Sequence, residues 1–212
     1  MVCPQCMGIE GFFDEKWANK ELKDYRKRGP RKTTQLLVEA IAAAPLQGKS
    51  LLDIGGGVGA IQYELLKAGV EKATAVDASA GYIKIAREEA ERQGHQNKID
   101  YLHGDFVDHA AALEQADIVT LDRVICCYHD VEQLVGESSR KAAEVYGLVF
   151  PRDNLVVRAG FNLFNLLLWL RRSPFRVFVH SSSYVDSLVR GNGLEQRFKR
   201  KTMIWQVVVY GR

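Results

Sequence analysis

From Ser50 onward, short apolar runs alternate with longer stretches in which apolar residues recur every three or four positions. "SLLDI", "KATAVD", "KIDYLHGD", "ADIVTLD" and "YGLVF" have the length and composition of strands. Between them, "GAIQYELLKAG" is closed by Gly69, "AGYIKIAREEAERQ" can be capped by Ser79 with Gly94 just past its end, and "DVEQLVGESSRKAAEV" leads into the fifth strand. Strands and helices in this alternation predict βαβ units and a parallel sheet. After an apolar segment and the helix "SSYVDSLVRG", the order changes. "LEQRFKRKT" and "MIWQVVVYG" are rich in β-formers with no helix between them, so they predict a hairpin with one strand antiparallel to the rest. The expected fold is therefore α/β, a three-layer sandwich over a seven-stranded, mostly parallel sheet with an antiparallel C-terminal strand.

Two helices are expected before the sheet. "TTQLLVEAIAAA" sets Leu36, Leu37, Ala40, Ile41 and Ala44 at helical spacing and is closed by Pro45. Upstream, "DEKWANKELKDYRKRG" reads as a charged, solvated helix stopped by Gly29-Pro30. The expected organisation is a helical arm over residues 1–30 and one domain over residues 31–212.

Composition narrows the function. The 212 residues carry a net charge of +3, and acidic residues interleave the basic ones of the arm, so no nucleic-acid partner is expected. No apolar run approaches the roughly 20 residues that span a bilayer. No leader pattern opens the chain, and the four cysteines form no disulfide framework, so a reducing, cytoplasmic setting is expected. "CPQC", with Cys3 and Cys6, is half a zinc site without a second half in view; free thiols are the expected state.

The chemistry centres on "LLDIGGGVGAI", the turn after the first strand. Ligands of open α/β sheets sit beyond the carboxyl ends of the strands, where this turn lies. Gly55, Gly57 and Gly59 leave the backbone bare for a ligand to lie against it. "GKS" at Gly48 to Ser50 precedes the strand and lacks the glycine of a P-loop at position 43. A dinucleotide remains open, since Gly55, Gly57 and Ala60 satisfy the loose dinucleotide pattern and Asp77 could hold a ribose. Asp53 favours a different ligand, because its carboxylate would repel a pyrophosphate and attract a cation. "HGDF" adds Asp105, which can accept from an adenine amino group, and Phe106, which can lie against the base.

"LLDIGGGVGAI", "AVDAS", "HGDF" and "ADIVTLDRV", in this order and spacing, resemble the cofactor motifs of class I S-adenosylmethionine-dependent methyltransferases, over about residues 34–212. The resemblance implies a Rossmann-like sheet with the family's reversed seventh strand. It also implies that Asp53 and Gly55, Gly57 and Gly59 face the methionine moiety, Asp77 with Ala78 the ribose, and Asp105 and Phe106 the adenine. Asp122 and Arg123 would border the methyl group and the acceptor.

The acceptor is not fixed by these motifs. An in-line displacement from a sulfonium depends mainly on positioning, and a general base matters only for a protonated acceptor. His129, in "LDRVICCYHD", is the candidate base; the alternative is that His129-Asp130 caps the next helix. Cys126 and Cys127 read as packed beneath the site. Asp122, Asp153 and Asn154 have the chemistry of a Mg²⁺ site, but Pro151-Arg152 and Arg123 argue against one, and no metal is expected. "GFNLFNLLLWLRR", residues 160–172, reads in three ways: a buried helix, an apolar lid over the acceptor, or a membrane-surface helix. The resulting expectation is methyl transfer from S-adenosylmethionine, leaving S-adenosylhomocysteine, to a small, partly apolar molecule, at oxygen. A nicotinamide-dependent oxidoreductase and a cofactor-binding protein without turnover are the competing readings. No stable membrane insertion is expected, only peripheral contact through 160–172.

Overall fold

A computed structural model describes residues 4–212, and side chains from residue 8 onward. Cys3 and the side chain of Cys6 lie outside the described residues. The fold begins with α1 (Pro4–Phe12), α2 (Glu15–Arg28) and α3 (Lys32–Ile41). Then β1 (Ser50–Ile54), α4 (Ala60–Lys67), β2 (Lys72–Asp77), α5 (Ala80–Arg92) and β3 (Ile99–His103) form the first half of the sheet. The second half comprises α6 (Phe106–His109), β4 (Ala116–Asp122), α7 (Val131–Lys141), β5 (Ala142–Pro151), α8 (Leu155–Leu170), α9 (Ser182–Gly191), β6 (Glu195–Lys201) and β7 (Trp205–Gly211).

The seven strands lie in the order β3-β2-β1-β4-β5-β7-β6. The first five are parallel, and β7 runs antiparallel to both β5 and β6. The chain order reverses between β1 and β4, so the crevice beyond their carboxyl ends is the switch point of the sheet. Central strands are buried on both faces, which explains their nearly unbroken apolar sequence: Leu51, Leu52, Ile118, Val119, Leu148 and Val149 are all buried. Asp130, Asn154 and Ser181 cap α7, α8 and α9 by accepting from backbone N–H groups. The expected fifth strand grows at the expense of the helix before it, because Ala142 to Val145 leave α7 and join the sheet beside β4.

The arm is packed against the body. Ala18 and Leu22 of α2 are buried against α5 with Tyr82 and Ile85. At Gly81, a Cβ would stand 2.7 Å from the backbone nitrogen of Glu15, so the two chains touch backbone to backbone. Arg26 and Arg92 both donate to the fully buried carboxylate of Glu89, as does Gln93. Burial alone would raise Glu89, but these hydrogen bonds outweigh it and hold the group at about 2.

Candidate active site

The carboxyl ends of β1, β2 and β4 open into a cavity of about 830 Å³. A smaller recess of about 450 Å³ shares Gly55, Gly57, Asp122 and Arg123 with it and reaches down to Asp53. Gly55, Gly57 and Gly59 all have positive φ, 64°, 56° and 86°, as the turn into α4 requires. Two of them also matter for space. A Cβ on Gly59 would sit 2.5 Å from the Tyr63 ring, and one on Gly55 2.4 Å from the Val124 side chain.

Asp53 lies beneath the turn, 1% exposed. Its register partner on β4, Thr120, donates to Oδ1 at 2.7 Å, and Gln62 donates to Oδ2 at 3.0 Å. It forms no ion pair with any described residue. Burial pushes its carboxyl up to about 7, against the two hydrogen bonds that favour the ionised form. The other amide atom of Gln62, Oε1, is buried without a partner.

Asp77 ends β2 and accepts from the backbone N–H groups of Gly57 (3.0 Å) and Ser79 (2.8 Å). Burial raises its carboxyl despite these bonds. Ala78 lines the cavity beside it. Asp105 caps α6 through the Val107 N–H at 3.0 Å and accepts from the Tyr128 hydroxyl at 2.9 Å. Phe106 is buried, and its ring also lines the cavity.

At the end of β4, Asp122 accepts from Thr34 at 2.5 Å and stands 3.7 Å from the Arg123 guanidinium. Burial raises Asp122, with Arg123 opposing. Arg123 itself is held at φ 63°, the left-handed region, by its N–H to Val149 O, its bond to Thr33 and its guanidinium over the Trp205 ring at 5.4 Å. Asp53, Asp77 and Asp122 are thus three carboxyls raised by burial around a single turn.

The ten sequence-predicted ligand contacts fall around this space, and nine line one or both recesses: Asp53, Gly55, Gly57, Asp77, Ala78, Asp105, Phe106, Asp122 and Arg123. Gly59 shapes the turn behind them. His129 is not brought there. Its ring is exposed and stacked on Tyr128 at 5.5 Å, because Asp130 caps α7 and turns the preceding residue outward. Cys126 is buried with its thiol pushed up, first by Cys127 and then by burial; both cysteines line the cavity. Asp153 accepts from Ser182, and Asn154 caps α8, so neither joins Asp122. Among the described residues no cluster of three or more His, Cys, Asp or Glu could hold a metal.

Several lining residues escape sequence reading. Ile9, Phe12 and Phe13 come from the arm, and Phe175 and Val177 from the segment after α8. Phe12 stacks on Phe175 at 4.6 Å and meets Phe164 edge-on at 6.4 Å, tying the arm to α8. The one available signal was "GFF", an apolar cluster ahead of a charged helix with no helical stripe to join. Segment 160–172 is no buried helix. Only Val157 and Leu168 of α8 are buried, while Val156, Val157, Gly160, Phe161 and Phe164 line the cavity.

Residues 52–144 match a family model described as a methyltransferase domain. Over that stretch the chain is similar to methyltransferase domains. The magnesium protoporphyrin IX methyltransferase of Synechocystis PCC 6803, solved with S-adenosylhomocysteine, matches this fold with a TM-score of 0.75 at 17% identity, over 98% of this chain and 99% of that one. An O-methyltransferase family protein from Burkholderia thailandensis matches at 0.65 and 16% identity, over 84% of this chain and 56% of its own. Among curated sequences, the ribosomal protein L11 methyltransferases of Desulforamulus reducens and Enterobacter sp. strain 638 are 30% and 32% identical over 80 and 92 residues, 38% and 43% of this chain. Those stretches span 26% and 30% of the relatives' own length. The likeness to them thus covers less than half of this chain.

Proposed function

We propose that the chain transfers a methyl group from S-adenosylmethionine to an oxygen of a small, partly apolar acceptor that arrives as an anion. The observation that carries this is Asp53, a buried carboxyl beneath the glycine turn with no cation among the described residues to pair with. A pyrophosphate there would add negative charge to three carboxyls already raised by burial, whereas an ammonium and a sulfonium would relieve them.

Asp77 retains free lone pairs for ribose hydroxyls after accepting two N–H groups. Asp105 and Phe106 would take the adenine, and Arg123 and Asp122 would border the methyl group and the acceptor. Bound there, S-adenosylmethionine supplies a methyl group on an already activated leaving group. The chain's own residues then have to orient the acceptor and keep water out. Val156, Phe161, Phe164, Ile204 and Trp205 give the remaining space apolar walls, and Arg123 offers the acceptor's anionic end a cation. An acceptor that is already ionised needs no base, which agrees with the position of His129. The L11 methyltransferases match over 38% and 43% of this chain and under a third of their own length, so they carry no argument about the acceptor. The Synechocystis neighbour matches from end to end, and magnesium protoporphyrin IX, for which it is named, is the first acceptor to try.

The test is calorimetry with S-adenosylhomocysteine and with NAD, followed by labelled methyl transfer to carboxylic and phenolic metabolites in the presence of chelator. Tight NAD binding without binding of S-adenosylhomocysteine overturns the reading. S-adenosylhomocysteine binding with no transfer to any acceptor would leave a cofactor-binding protein without turnover.

A further inference from the structure

Helix α8 has the wrong outside for a helix facing water. A helix on a soluble domain keeps its apolar stripe inward and polar residues outward. In α8 the inward side is Val157, Phe161, Asn165 and Leu168, with Asn165 fixed by two hydrogen bonds to the backbone of Val177 at 2.7 and 2.9 Å. The outward side is also apolar. Leu155 is 84% exposed, Leu163 59%, and Trp169 and Leu170 63% each. Beside it, the β6–β7 turn adds Met203 at 88% exposure and Ile204. Val156, Phe164, Met203 and Ile204 belong both to this surface and to the cavity lining, so the cavity mouth opens within it.

Apart from Asp153 just before α8, the charges along the segment that carries the patch are basic. Between Asp153 and Asp186 the sequence holds no acidic residue and four arginines, Arg158, Arg171, Arg172 and Arg176. Arg200 and Lys201, at the end of β6, lead into the turn. No described helix is long and apolar enough to cross a membrane.

We propose that this face, the outer side of α8 with the turn at 202–204, docks on an anionic lipid surface and sets the cavity mouth against it. An apolar face bordered by arginines is the arrangement that lies in the plane of a bilayer interface, with leucines and tryptophan among the acyl chains and guanidinium groups at the phosphates. Charge selects this occupant over a second copy of the chain. A two-fold pairing of the same face would bring two sets of arginines together, whereas anionic lipid neutralises them. The docking does not depend on the acceptor or reaction proposed above.

The experiment is flotation of the full chain with vesicles of equal parts phosphatidylcholine and phosphatidylglycerol, compared with phosphatidylcholine alone. Flotation is expected on the anionic vesicles, weakening as salt is raised. Trp169→Ser with Leu170→Ser, and separately Arg171→Glu with Arg172→Glu, should each lower the bound fraction constant about tenfold. Neither pair lines the cavity, so both variants should keep wild-type affinity for S-adenosylhomocysteine, which reports that they fold. Met203→Glu should weaken flotation as strongly if the mouth faces the lipid; wild-type flotation of that variant overturns the orientation. Absence of flotation on anionic vesicles overturns the proposal. So does light scattering that shows a dimer which the Trp169→Ser, Leu170→Ser variant dissociates.

Discussion

Replacing Asp53 by Asn should make the cofactor-free protein more stable and a poorer binder. Burial holds Asp53 at about 7, against 3.8 for an ordinary aspartate. At 1.36 kcal/mol per pH unit, that gap corresponds to about 4 kcal/mol of resistance to ionisation in the fold. The sign follows from linkage. Between about pH 4 and 7 the folded chain keeps a proton that the unfolded chain has released, so this group's contribution to stability falls as pH rises and is lowest above about 7. Asn carries no charge to bury. It can still accept from Thr120, and its amide can donate to Gln62 Oε1, which now lacks a partner, once the Gln62 amide turns over. Allowing for imperfect hydrogen bonds, Asp53→Asn should gain about 2 kcal/mol at pH 8, a melting rise of about 4–8 °C, with little gain at pH 5. The same change removes a charged partner for the ligand's cationic end and should weaken S-adenosylhomocysteine by about 1.5–3 kcal/mol. Thermal unfolding at the two pH values and calorimetry read both halves. A variant that is destabilised at both pH values and binds the ligand as well as wild type would show that Asp53 is only a hydrogen-bond acceptor joining β1 to β4.

Three further outcomes follow from the same geometry. Asp77→Ala should lose about 1.5–3 kcal/mol of S-adenosylhomocysteine binding by calorimetry; unchanged affinity would remove Asp77 from the ligand's contacts. Phe164→Ser should slow acceptor turnover with cofactor affinity nearly intact, whereas Leu168→Ser, at a position 5% exposed and away from the cavity, should cost about 2–5 kcal/mol of stability; equal effects on folding would refute a lining role for Phe164. Glu89 is held below its unfolded value, so its contribution is present above about pH 4.5 and is lost as pH falls through about 2. Glu89→Gln should cost about 2 kcal/mol at neutral pH and expose the lysines and arginines of α2 to trypsin, and an arm still fully protected would refute the anchoring role.

The strands, the antiparallel C-terminal strand and the turn at Gly55–Gly59 were legible because each rests on local pattern: a run of apolar residues, two β-rich runs with no helix between them, a glycine where φ is positive, a cap residue before a helix. The carboxyl-end residues were legible for the same reason, since each follows its strand directly. His129 was not, because adjacency to Asp130 is equally the mark of a capped helix, and only the direction of α7 decides between them. Segment 160–172 was legible only as apolar, because one-dimensional apolarity cannot show that one side of α8 lines the cavity while the other is exposed. The pair Phe12 and Phe13, then Phe175, then Trp205 come from three places in the chain, and nothing local announces that they line one cavity.

The crossing at Gly81 shows how an attachment can leave almost no chemical signature. The outer residues of α2 can drift among Lys, Glu and Asn with little penalty, so its sequence looks like that of a free appendage. Besides the buried Ala18 and Leu22 and the Arg26–Glu89 contact, what lets it sit so close is the absence of one carbon on α5, where a methyl group would stand 2.7 Å from Glu15 N. Gly81→Ala would therefore act as a wedge, prying Phe12 and Phe13 away from the cavity and straining the bonds from Ser79 to Phe13 O and from Tyr82 to Glu21. In this chain the closure of the pocket is encoded partly in an atom that is missing, one residue before Tyr82 on the pocket wall.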